Sequence, residues 1–276
     1  MPLDQPLSDD QLRSLAPAIF ADKPHRYMSK GYSFVPTIKV INKMRQEGFL
    51  PVAAGQARSV KSGYQDPDKD QMKRHVVRFR RQQDMFFKGH RVGDEIPEIV
   101  LNNSHDGSSH YALMAGLFRL VCANGMVVAS ADFGSYSIRH DRDEVNNIIE
   151  ASYKIIKETP LVMNQVDQMK KAFVSPRQQL RFAEDAIALR GVELKLEPRE
   201  VLISRRPQDG VTDQRRSVWQ TFNVVQEHLV KGGASGITGS GRSRRLQAIR
   251  NPVQDVSFNR DLWTLADTLR QTAYAA

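Results

Sequence analysis

A chain of 276 residues with 40% hydrophobic and 26% charged positions has enough apolar material for a sizeable core, which excludes a disordered chain and a mini-protein held by staples. Its single cysteine cannot form an internal disulfide, and no run approaches the roughly 18 apolar residues of a membrane span. The formal net charge of +9 points to a polyanionic partner, and the usual polyanions of a cytoplasm are DNA and RNA.

The first ten residues are acidic and lack the basic-then-apolar order of a secretory leader. The expected compartment is therefore the cytoplasm of a bacterial host. Ser8, followed by Asp9 and Asp10, reads as the N-cap of a helix carrying Leu12, Leu15 and Ile19. Residues 31–36 read as a short aromatic strand. Thr37 opens a helix through Ile38, Ile41 and Met44 that Gly48 stops. Residues 49–60 read as extended, interrupted at Gly55, and 61–73 as a polar surface loop.

Residues 75–81 alternate: Val77 and Phe79 point one way, Arg78 and Arg80 the other. The expectation is a half-buried strand with a basic outer face. Residues 96–103 and 111–122 are the next strands, the second apolar on both faces apart from Arg119 and hence central in its sheet. Asn124-Gly125 sits between apolar pairs as a hairpin turn, and a strand follows at 133–139. Cys122 reads as a small buried hydrophobe.

Beyond Asp141 the apolar period becomes helical. Val145, Ile148, Ile149, Ile155 and Ile156 mark a helix that Pro160 ends or kinks. Ser175-Pro176 and Ser217 start two more helices, stopped at Gly191 and at Gly232-Gly233, and Leu262, Leu265, Ala266 and Leu269 mark the last. Strands followed by helices give an α+β fold class, an antiparallel β-meander core followed by a helical C-terminal half. The expected organisation is a helical arm at 1–30, a mixed β-rich core at 31–141 and a helical region at 142–276, packed as one unit.

The positive charge is clustered. Lys73, Arg74, Arg78, Arg80 and Arg81 form one group, with Lys88 and Arg91 beyond it, and Arg205, Arg206, Arg215 and Arg216 a second. Arg242, Arg244 and Arg245 follow a glycine- and serine-rich stretch inside a segment, 232–245, expected to be a flexible loop. Arginines on such a loop suit a phosphate backbone, where counterion release gives affinity without sequence preference. Tyr64, Phe86 and Phe87 offer faces for base stacking if exposed.

Two motifs carry other chemistry. Residues 236–243 approach a phosphate-loop pattern with Arg242 in place of lysine, but a helix precedes the loop where the mechanism needs a strand. His105 and Asp106, with His110, have the donor types of a metal site. The alternative is a turn at Asp106-Gly107 in which Asn102, Asn103 and Ser104 satisfy nearby backbone groups.

The segment Asn103-Ser104-His105-Asp106-Gly107-Ser108-Ser109, followed by Phe118 to Gly125, resembles a family of phage- and plasmid-encoded proteins, domain of unknown function 932. Tyr32, Pro36-Thr37, Gly48-Phe49, Pro51-Val52, Gln56 and residues 75–80 are similar to it too, as are Trp219, Phe222-Asn223, Gly232-Gly233, Asn259 and Leu262-Trp263. The resemblance spans 32–263. It implies a mobile-element context and makes Asn103, Ser104, His105, Asp106 and His110 a candidate functional loop, without supplying a catalytic residue.

The leading expectation is a DNA-binding accessory protein of a phage or plasmid, without turnover and without a cofactor. Its partner is DNA, single-stranded favoured, and its sharpest form is a single-strand annealing or recombination protein acting as a homo-oligomer. The alternatives are a metal-dependent nuclease or phosphohydrolase using the Ser-His-Asp-Gly loop, and an interaction protein that inhibits a host defence complex.

Overall fold

The computed structural model describes residues 5–28, 34–57, 72–85, 95–109, 111–119, 124–127, 136–138 and 144–274. The chain divides into two compact units. The first takes Met1–Val127, Phe133–Thr159 and Asn251–Val253; the second takes Val128–Asp132, Pro160–Arg250 and Gln254–Ala276.

In the first unit, helix α1 (Asp9–Leu15) starts as its sequence predicts. Ser8 accepts from the Gln11 amide, and the Gln11 side chain accepts from the Ser8 amide. Helix α2 (Thr37–Gln46) turns Thr37, Val40, Ile41 and Met44 inward, the i, i+3, i+4, i+7 spacing of a face packed on a core. It ends before Gly48, whose φ of 81° only glycine adopts cheaply.

Strands β1 (Phe49–Gln56), β2 (His75–Arg81), β3 (Glu95–Asn103), β4 (Tyr111–Arg119) and β5 (Asn124–Val127) form an antiparallel meander in chain order, and β6 (Tyr136–Ile138) also pairs with β4. A one-turn helix, α3 (Gln82–Met85), follows β2. Strand β4, paired with β3, β5 and β6, is central, in keeping with its two apolar faces.

Several local expectations change here. Residues 34–36 are not a strand. Gly55 stays in β1, and the register shift falls between Pro51 and Ala53, where proline has no amide to give the ladder. Asn124 and Gly125 are strand residues paired with Arg119 and Phe118, so they do not form the turn. Strand β2 is buried on both faces through Arg80. Residues 58–71 and Cys122, with Tyr64, Phe86, Phe87, Lys88 and Arg91, lie outside the described residues.

Helix α4 (Glu144–Lys171) runs through Pro160 rather than ending there, and the boundary between the two units falls at the same residue. The second unit then builds α5 (Pro176–Arg190), α6 (Val218–Lys231) and, from Gln254 on, α7 (Pro252–Tyr274). Ser175 and Ser217 cap α5 and α6 in reciprocal boxes with Gln178 and Gln220. Gly191, at φ 59°, closes α5. Trp219 and Phe222 of α6 stack at 5.6 Å, and Trp263 of α7 meets both edge-on at 6.2 and 5.8 Å, anchoring this unit's core.

Two small sheets complete the second unit. Strand β7 (Phe173–Val174) pairs with β9 (Arg216–Ser217), and β8 (Lys195–Leu196), β10 (Ser235–Ile237) and β11 (Ser243–Arg245) form the order β11-β10-β8. The segment expected to be a flexible loop is thus a paired hairpin. Its glycines supply conformations: Gly232, Gly233 and Gly241 have φ of 76°, 94° and 79°. Thr238 closes the turn, its amide donating to the Arg242 carbonyl at 2.9 Å and its hydroxyl accepting from the Arg242 amide at 3.1 Å. No helix among the described residues is long and apolar enough to cross a membrane.

Candidate functional site

The register of the meander places His75 of β2 opposite Asn103 of β3. It also places Asn102 opposite Ala112 of β4, which brings Tyr111 beside Asn103 on the same face. Thr37, the first residue of α2, sits over this row. Its hydroxyl oxygen lies 2.8 Å from His75 Nε2, 3.0 Å from Asn103 Nδ2, and 3.3 Å from both His105 Nε2 and Tyr111 Oη. All five side chains are fully buried.

A hydroxyl has one proton and two lone pairs, so the roles can be assigned. His75 Nδ1 lies 2.8 Å from the Lys73 carbonyl, which only accepts, so Nδ1 carries the proton and Nε2 accepts from Thr37. Tyr111 donates to the Val35 carbonyl at 3.1 Å. The two lone pairs of Thr37 then take Asn103 Nδ2–H and His105 Nε2–H. Burial pushes the His75 pKa down to about 4, against smaller raising effects of the Lys73 carbonyl and the Asp106 charge, so the ring is neutral at neutral pH. The array of hydroxyl, imidazole and carbonyl has the order of an activated nucleophile. Its burial makes it a fastening between helix and sheet in this conformation.

The Ser-His-Asp-Gly loop is turned into the same fastening. The His105 amide donates to the Met72 carbonyl at 2.9 Å, and the His25 amide to the His105 carbonyl at 3.1 Å. The Ser104 hydroxyl accepts from the Ser109 amide at 2.8 Å and donates to its carbonyl at 3.1 Å. Asn102 donates to the Ser109 hydroxyl at 2.7 Å. The Asp106 carboxylate accepts from the Ser108 amide at 2.9 Å. Its partial burial raises its pKa, but bonds from Ser108 and Ser104 outweigh this and leave it lowered. Gly107 turns at φ 73°. The His105 ring faces Thr37 while the Asp106 carboxylate faces Ser108, and His110 lies outside the described residues. Among the described residues no three His, Cys, Asp or Glu side chains form a metal-holding group.

The basic face expected on β2 is not an outer face. Arg78 and Arg80 are 8% and 3% exposed, and both donate to Glu98 of β3, at 2.7 and 2.8 Å. Lys73 is buried, while Arg74, which donates to the Ser108 carbonyl, and Arg81 are half-buried. The sequence missed Glu98 because it lies on the neighbouring strand, where alternation within β2 carries no signal.

In the second unit the arginines divide. Arg216 is fully buried and donates to the Leu202 carbonyl at 2.9 Å. Arg206 is paired through two bonds with Glu227, at 2.7 and 3.2 Å. Arg205 donates to the Gly232 carbonyl at 2.8 Å and to His228 Nδ1 at 2.9 Å; these two bonds brace the base of the hairpin. Arg215 lies over the Phe173 ring, 5.6 Å from its centroid. Arg242, Arg244 and Arg245 are all exposed on the hairpin, and none is in an ion pair with another described residue.

The comparisons with known proteins agree with the resemblance carried by these segments. Residues 24–263 match a domain of unknown function, DUF932. UPF0380 protein YfjQ of Escherichia coli (strain K12) is 34% identical over 268 residues, covering 96% of this chain and 92% of the relative. UPF0380 protein YafZ of the same strain is similar to the same extent, 34% over 268 residues. No solved structure matches the chain. The match encloses both the Thr37 fastening and the arginine hairpin, and the chain belongs to the DUF932 family.

Proposed function

We propose that the chain binds nucleic acid through the phosphate backbone, at the hairpin of β10 and β11. The observation that supports this reading is the exposed trio Arg242, Arg244 and Arg245 on a paired, braced hairpin, none of them in an ion pair with a described carboxylate. Three guanidiniums on one short element offer forked donors to successive phosphates. A preformed hairpin loses less entropy on binding than a mobile loop would. The arginines of β2 play no part in this reading, since Glu98 already holds them inside the sheet unit.

Each phosphate contact releases counterions, so affinity falls with salt at a slope of roughly 0.7 to 0.9 per contact. A gel-shift or anisotropy titration at several salt concentrations tests the proposal. Replacing Arg242, Arg244 and Arg245 together by alanine lowers that slope by about 2 to 3. Absence of binding to any DNA or RNA at low salt overturns it.

A further inference from the structure

Beside the hairpin the second unit carries a groove of about 360 Å³. Val192, Leu194 and Leu246 give it an apolar lining, and Arg190, Arg244 and Arg245 contribute guanidiniums, against one carboxylate, that of Glu193. Arg190 is an unusual member. It is half-buried, it donates to the carbonyls of Leu229 and Gln247 at 3.1 and 3.4 Å, and it pairs with no carboxylate among the described residues. Burial lowers its pKa from the usual arginine range, the mark of a cation that has lost water without gaining a counter-charge. An anion seated nearby would supply that counter-charge.

An apolar hollow within the size range of small-molecule sites, bordered by guanidiniums, fits a flat apolar ring with a phosphate attached. Paired bases inside a duplex are stacked and cannot enter such a hollow; an unpaired base can. We propose that this groove takes one unpaired nucleobase of a single strand, with the adjoining phosphates on Arg244 and Arg245. The inference rests on the reading that the hairpin binds nucleic acid, and it assigns the class of strand.

The test is fluorescence anisotropy on the full chain with three probes of equal length: a labelled oligothymidylate, the same backbone with abasic sugars, and a duplex. The intact single strand binds roughly tenfold more tightly than the abasic strand, the scale of burying part of one base's apolar face, and at least as tightly as the duplex despite the duplex's higher charge density. Val192→Asp, with folding checked by circular dichroism, abolishes the advantage over the abasic strand, while its added carboxylate in the lining shared with Arg244 and Arg245 weakens both single strands alike. Equal affinity for intact and abasic strands overturns the groove while backbone binding stands. A retained advantage in folded Val192→Asp overturns its placement. No binding to any probe overturns both readings. Should Val192→Asp fail to fold, the abasic comparison still decides.

Discussion

The hydroxyl of Thr37 lies 2.8 Å from Nε2 of His75, and this bond joins the first turn of α2 to the first residue of β2. Three other polar groups converge on the same oxygen, and its two lone pairs satisfy donors from one further strand end, Asn103, and from the His105 loop. Thr37→Val keeps the shape and removes the hydroxyl, leaving buried groups of His75 and Asn103 short of a partner. The expected cost is about 2–3 kcal/mol, read as a lower urea midpoint at unchanged slope, and Thr37→Ser recovers most of it.

The same pair gives the first unit a pH dependence. His75 has a folded pKa of about 4 against 6.5 for a free histidine. The unfolded chain therefore binds more protons between these values, and stability falls as pH drops. The contribution is fully present above about pH 6.5 and is lost toward pH 4, on the order of 3 kcal/mol in all. Urea midpoints measured across that window should decline. His75→Gln flattens the decline, leaving the part due to His228 of the second unit, whose pKa burial also lowers.

Glu98 holds two arginines inside the sheet unit, and the effect of removing it is asymmetric. Glu98→Gln removes the carboxylate charge to which both buried arginines donate and costs about 3–5 kcal/mol. Arg80→Met leaves the carboxylate with Arg78 at 2.7 Å and costs less. Because the pair is buried, added salt barely changes the difference. Chemical unfolding of the two variants at low and high salt checks both statements.

Local chemistry made much of this fold legible. Ser8, Ser175 and Ser217 announce their helices because the capping partner stands three residues on, within the same turn. The strands at 75–81 and 96–103 show in their alternation and apolar content. What stayed hidden depends on residues distant in sequence. Arg78 and Arg80 look like a solvated face until β3 brings Glu98 beside them, 18 to 20 positions away. Thr37, His75 and Tyr111 become a site only when sheet register and helix packing converge on one oxygen. The arginine trio was legible as a cluster, but its scaffold was not, because glycine signals mobility and tight turning with the same letter.

That ambiguity at the hairpin can be resolved glycine by glycine. A Cβ on Gly236 would stand 2.7 Å from Leu194 Cγ and 2.8 Å from the Lys195 carbonyl oxygen, whereas one on Gly239 meets nothing within 4 Å. Gly236→Ala therefore forces β10 away from β8 at a cost of about 1–3 kcal/mol, while Gly239→Ala is close to neutral. Hydrogen exchange separates a paired hairpin from a loop directly. The amides of Gly233 and Leu246, which donate to Leu246 and Ala234 carbonyls at 2.8 Å, exchange slowly in the parent chain and in Gly239→Ala, and fast in Gly236→Ala. If the hairpin presents the arginines, Gly236→Ala also weakens nucleic-acid binding although no charge has changed. Equal binding by the two alanine variants would show that the arginines act without the scaffold.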